Sequence, residues 1–184
     1  AADNLPYPRD TEYGKFSRGL ANMLLIRLYL HETPEDQSYY NKVETIAREM
    51  MTADYGYAMV DDYPSLFELA GQSKCTSEYI YVVPCAIDGP SQNQWHMMAM
   101  PPDIDGLVQG WATVQSTWYF YDSFEPNDTR KTYLIPEYTT GDGVIRNREN
   151  PDQYLDLGPL PQKYEVDPAV PGSGGYSDLD IVVY

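Results

Sequence analysis

The sequence predicts a mostly α fold, in which a tetratricopeptide-like pair of helices is followed by a long, loop-rich, irregular second half with a few short strands. Three observations predict it. An apolar run from Leu20 to Leu30 follows a serine able to cap a helix, and a second segment repeats apolar residues at helical spacing. From Asp88 onward, short apolar stretches alternate with Pro, Gly, Asn and Asp, as in Pro101-Pro102, Gly141-Asp142-Gly143 and Gly172-Ser173-Gly174-Gly175.

Residues 1–15 hold Pro6, Pro8 and Gly14 without apolar periodicity and read as an extended lead-in. Ser17 then offers a hydroxyl to an unpaired N–H of the first turn. The helix that follows is apolar on nearly all sides, so it requires neighbours on more than one face. Thr33-Pro34-Glu35-Asp36 predicts the start of a second helix, with a hydroxyl cap, a proline whose missing N–H is harmless there, and acids against the dipole. That helix should run to about Ala53. Its stripe of Tyr39, Val43, Ile46, Ala47, Met50 and Met51 can pack on the first helix as an antiparallel hairpin. A hairpin with apolar surface left over is the unit of tetratricopeptide stacks. Tyr63 to Leu69 predicts a short third helix after Pro64, and Glu78 to Val83 has the composition of a strand. Residues 1–72 thus form the helical scaffold and residues 73–184 the loop-rich region of the same domain.

At 184 residues the chain has the size of one domain, and 42% apolar residues exclude compositional disorder. Acidic residues outnumber basic ones by 28 to 12, for a net charge of −16, and no Lys/Arg run tracks a phosphate backbone. That argues against nucleic acid, anionic lipid and polyanions, unless a local basic pocket overrides the field; a neutral ligand fits best. The two cysteines, Cys75 and Cys85, are too few for a disulfide scaffold or a zinc site, so no cofactor or metal is expected. Met23 to Ile26 is cut short by Arg27, far below the length of a membrane span, and the first residues lack a signal-peptide pattern. An export signal, if there is one, is expected outside this sequence.

Five ordered blocks carry a resemblance: LPYPRDTEYGKFSRGLANMLLIRLYL, YYNKVETIAREMMTADYGYAMVDDYPSLF, SEYIYVVPCA, FYDSFEPNDTR and KYEVDP. Together they resemble the SusD/RagB family of nutrient-binding outer-membrane lipoproteins. The first block is similar to that family's lead into an Ala/Leu-rich helix, carried by Gly14, Lys15, Phe16, Ser17, Tyr29 and Leu30. Asp128-Thr129-Arg130 stands where the family has an Asp-Pro-Arg-like block, with the usual proline replaced. The resemblance implies an internal piece of a SusD-like α/α superhelix whose second half faces the ligand. It also implies non-catalytic binding of glycans or similar oligomers at the cell surface, and delivery to a SusC-like TonB-dependent transporter. The lipid anchor would lie outside this chain.

A pyranose offers a weakly polar C–H face and a rim of hydroxyls, which flat rings and amides can cover. Asn93, Gln94, Trp95 and His96 set that mix in a loop bracketed by prolines. Gln109 and Trp111 flank Gly110, which would let backbone approach a ligand, and Gln115 and Trp118-Tyr119 follow. These tryptophans can equally serve to pin loops, and Trp118, in an apolar run, reads as core. His96 is assigned no catalysis, and Asp128 with Arg130 reads as a turn pair. A glycosidase needs a carboxyl pair that sequence cannot single out among 28 acids, and no hydrolase or phosphate-loop motif is present. Binding is therefore expected over catalysis, with a protein-interaction module as the alternative.

Overall fold

The computed structural model describes residues 2–86, 88–106, 109–165 and 177–184. The Gly172 to Gly175 loop and the last three residues of the KYEVDP block lie outside them. The regular elements are α1 (Arg18–Glu32), α2 (Tyr39–Met50), β1 (Val82–Val83), α3 (Trp95–Ala99), α4 (Trp118–Asp122), β2 (Leu134–Ile135), β3 (Tyr138–Thr139), β4 (Ile145–Arg146), β5 (Leu160–Pro161) and β6 (Ile181–Val182). Single 3-10 turns such as Tyr63–Phe67 and Thr129–Tyr133 join them. The architecture is therefore mixed rather than mostly helical: beyond the first two helices, irregular chain is stitched by antiparallel pairs β1–β6, β2–β5 and β3–β4.

Two compact units emerge. One comprises Ala1–Asp61, Ser73–Pro84 and Asp180–Tyr184, the other Asp62–Gln72 and Cys85–Leu179. Residues 62–72, grouped by sequence with the helices, thus belong to the second unit, and residues 73–84 to the first.

In the first unit α1 and α2 pack side by side. Ser17 caps α1 as expected, its Oγ accepting from the Leu20 amide at 3.3 Å. Thr33 does not open the second helix. Its hydroxyl donates back to the Leu30 carbonyl at 2.7 Å, closing α1 instead, and Asp36 accepts from the Ser38 amide at 2.8 Å. The acids read as a first helical turn thus form the connecting turn, and α2 begins six residues later than Thr33. Tyr29 and Tyr39 meet across the pair with centroids 5.4 Å apart, and the Lys42 ammonium sits 3.9 Å over Tyr39. Inside, Asn22 donates to the Tyr55 hydroxyl at 2.8 Å, which donates to Glu49 at 2.7 Å. The strand expected over Glu78 to Val83 shortens to β1, because the Ile80 and Tyr81 amides both donate to the carbonyl of Tyr184.

The second unit has its core in Ala99, Met100, Ile104, Tyr138, Leu155 and Leu160, with Trp95, Ile135 and Tyr154 against it. Pro101 and Pro159 are fully buried. Proline brings no N–H inside, so irregular backbone there leaves one donor fewer to satisfy. Gly110 is buried as well, and a Cβ on it would stand 2.5 Å from the carbonyl oxygens of Met97 and Met100 and 2.8 Å from that of His96. The close approach expected of this glycine is therefore made to the protein's own helix α3 rather than to a ligand. Past it, the amides of Trp111, Ala112 and Val114 donate to the carbonyls of Met97, Met100 and Met98, so the end of α3 is satisfied by an adjacent extended segment. Ala112 adopts a left-handed φ of 48° to make this turn.

Replacing Gly110 with alanine should cost about 2–3 kcal/mol or more, because the opposing atoms are backbone carbonyls that cannot rotate away. Ala112→Gly should shift stability by less than about 1 kcal/mol, relief of left-handed strain offsetting the added chain entropy. Urea unfolding followed by tryptophan fluorescence separates the two variants; equal midpoints would show that α3 is not held by this segment.

Candidate ligand-binding cleft

A cleft of about 630 Å³ opens in the second unit. Its walls come from four stretches of chain: the 3-10 turn bearing Tyr63, helix α3 bearing Trp95, the segment from Phe120 through Tyr133 and Leu134, and Pro161 with Lys163. Each ring is set by its own local device. Trp95 donates its indole N–H to the Pro161 carbonyl at 2.6 Å, tying α3 to β5. Tyr63 and Tyr133 meet edge to face at 5.8 Å, and Phe67 packs against Tyr63, Tyr133 and Tyr164 at 5.4, 6.2 and 5.6 Å. Thr117 caps α4 by accepting from the Phe120 amide at 3.1 Å, and Phe120 then packs on Phe124 with centroids 4.9 Å apart. Phe120 keeps 48% of its surface exposed, so its ring borders open space.

The polar members are as specific. Asp128 accepts from the Arg130 backbone N–H at 3.0 Å and from its guanidinium at Nε and Nη2, which holds the carboxyl below the usual aspartate range. The turn pair read from sequence is thus present, and both of its residues line the cleft. Lys163 is half-buried, with its ammonium 5.0 Å from the centroid of Phe67 and 5.5 Å from that of Tyr164. Burial holds it below the ordinary lysine value. Burial, and then the carboxylate of Glu68, pushes the Tyr133 phenol up to about 12.

The residues singled out by sequence separate into three positions. Trp95 is half-buried in the cleft wall, with Gln94 half-buried before it. Asn93 and His96 are interior. Asn93 donates to the Leu179 carbonyl at 3.1 Å and accepts from the Trp95 amide at 3.0 Å. His96 places Nε2 2.8 Å from the Tyr164 carbonyl, which can only accept, so that nitrogen carries the proton. Both side chains hold backbone, which makes them supports for Trp95 rather than ligand contacts. Gln109 and Trp111 are exposed, Trp111 to 61%, and Trp111 does not line the cleft with Trp95. Trp118 is half-buried and pinned by its indole N–H to the Leu155 carbonyl at 3.1 Å, while Gln115 donates to the Gln153 carbonyl. Both cysteines carry thiols, Cys75 buried and Cys85 half-buried.

Sequence reasoning missed Tyr63, Phe120, Phe124, Tyr133 and Lys163. The signal was there in part, since four of them fall in the YPSLF, FYDSFEPNDTR and KYEVDP stretches that carry the family resemblance. A second cleft of about 460 Å³ in the first unit is lined by Tyr13, Tyr55, Tyr57, Tyr79 and Tyr81. Tyr55 and Tyr79 are buried there, and the hydroxyls of Tyr13 and Tyr55 already donate to Asp180 and Glu49. No family model, curated protein or solved structure matches the chain.

Because folding raises the Tyr133 value above the usual ~10, the folded protein keeps a proton that the unfolded chain releases. Its contribution to stability is fully present below about pH 10 and is lost as pH rises toward about 12. Denaturant midpoints across that range should fall more steeply for the parent protein than for Tyr133→Phe; parallel curves would mean that the phenol is not shielded by the cleft.

Proposed function

We propose that this chain is a glycan-binding part of a SusD/RagB-type receptor, non-catalytic, which gathers an oligomeric nutrient at the cell surface for a TonB-dependent outer-membrane transporter. In this reading α1 and α2 are one pair of a tetratricopeptide-like superhelix, and the irregular unit carries the ligand. The observation that supports it best is the convergence of Tyr63, Trp95, Phe120, Phe124 and Tyr133 on one cleft, beside Ser123, Asp128 and Arg130. Rings stack on the C–H faces of sugars, and a hydroxyl, a carboxylate and a guanidinium pair with ring hydroxyls. Anchorage by lipid at the outer membrane belongs to the same reading and rests on the resemblance alone.

A protein-interaction module is the second reading, and a different observation favours it. Leu24 and Leu28 of α1, one turn apart on one face, are 51% and 53% exposed, although the helix is apolar on nearly every side. Leucines at that spacing would be covered by a further helix.

Isothermal titration against a panel of oligosaccharides separates the two. Trp95→Ala and Phe120→Ala should each weaken binding about tenfold, the change a lost ring contact of 1–1.5 kcal/mol produces. Phe120, half-exposed, can be truncated with little effect on folding. Trp111→Ala should alter the affinity of short oligomers by less than about threefold. Unchanged affinity in both cleft variants, or no sugar binding at all, would refute the glycan reading.

A further inference from the structure

The cleft contains one cation whose surroundings ask for an anion. Arg130 is already engaged, its Nε and Nη2 bound by Asp128. Lys163 is not: among the described residues it has neither an ion pair nor a hydrogen bond, and its ammonium lies over the rings of Phe67 and Tyr164. Seven of the twelve basic residues, every lysine among them, have no ion pair among the described residues, and of these seven only Lys163 lines this cleft. A half-buried ammonium has shed part of its hydration, and the faces of aromatic rings return only some of it. An anion supplied by a ligand would complete the site.

The other charges of the lining do not cancel it. Asp128 is neutralised by Arg130, which leaves Glu125, an exposed residue whose charge is screened by water. Lys163 stands deeper, against the aromatic wall, where an opposite charge is felt more strongly. We infer that the cleft selects an oligosaccharide bearing a carboxylate sugar, a uronic-acid type residue whose ring lies on the aromatic wall and whose carboxylate meets the Lys163 ammonium. A carboxylate on one sugar among neutral ones suits a chain whose overall charge of −16 opposes dense polyanions. The inference rests on the glycan-binding reading above and names the class of sugar for that same cleft.

The test compares a neutral oligosaccharide bearing one uronic acid residue with the same oligomer methyl-esterified at that residue, so that chain and ring stay constant while the charge is removed. Both are titrated into the parent protein and into Lys163→Met, which keeps the aliphatic stem. The acidic oligomer should bind the parent about tenfold more tightly than its ester, as expected of a charge-assisted contact in a partly desolvated site, and the preference should vanish in Lys163→Met. Lys163→Met should melt no lower than the parent, since it relieves the burial of a charge, and this keeps a loss of binding from being read as misfolding. Equal binding of the acid and the ester, or a preference that survives in Lys163→Met, overturns the inference while leaving glycan binding intact. Binding of the same oligomer with a sulfate ester in place of the carboxylate, when the acid itself does not bind, also overturns it. If no oligosaccharide binds the parent, the glycan reading falls and this inference falls with it.

Discussion

A helix of five residues cannot hold itself together in water, and α3 is such a helix. It is fixed from outside. The segment after Gly110 lies against its carbonyl end, possible only because no Cβ intervenes, and three amides of that segment take up carbonyls the helix leaves unpaired. At its other end Asn93 receives the Trp95 amide, and His96 and Trp95 reach the carbonyls of Tyr164 and Pro161. The orientation of Trp95 in the cleft wall therefore depends on contacts that span from 12 (Met100 to Ala112) to 68 (His96 to Tyr164) positions in sequence.

The same economy runs through the second unit. Where long ladders are absent, side chains take over backbone pairing: Ser116 donates to Pro159, Trp118 to Leu155, Gln115 to Gln153, and the Tyr138 hydroxyl sits between Asp103 and Asp152 in the core. Buried prolines remove donors that would otherwise need partners. Each such bond contributes only about 1 kcal/mol net, but an unmade one inside costs more, so the arrangement is specific without being regular. This explains why aromatic residues and amides recur in the second half of the sequence: they are the side chains that can span a gap and end in a hydrogen bond.

That division also sets how much was legible in advance. Local rules are read along the chain, and they located α1 with its Ser17 cap and the amphipathic stripe of α2, while the short helix expected over Tyr63 to Leu69 forms only a 3-10 turn over Tyr63–Phe67. Thr33 shows where they stop: its hydroxyl had two helix ends within reach and took the carbonyl of Leu30, a choice that depends on packing rather than on residue type. The mostly α expectation exceeded the finding because the pattern beyond residue 62 has no period, and chain without period settles by long-range side-chain bonds. Trp95 was legible as a ring among amides, while its partners were not, because Tyr63, Phe120, Tyr133 and Lys163 come together only through the fold. Asn93 and His96 had the right chemistry for a ligand and were spent on backbone instead.

Charge on this molecule acts at two ranges. The excess of 16 negative charges is spread over the surface, and at physiological salt its influence fades over about 8 Å. Inside the cleft the nearest charges dominate, and there one acid is locked to Arg130 while Lys163 rests on aromatic faces with its hydration reduced. Long-range repulsion and short-range attraction act on different properties of a ligand, the first on total charge and the second on the position of one group. A chain with widely spaced acidic groups experiences little of the former and all of the latter. On the proposed reading, the rings would fix where such a chain lies and the ammonium would fix its register, since a ring face accepts any sugar and a single cation accepts only the residue that carries the charge.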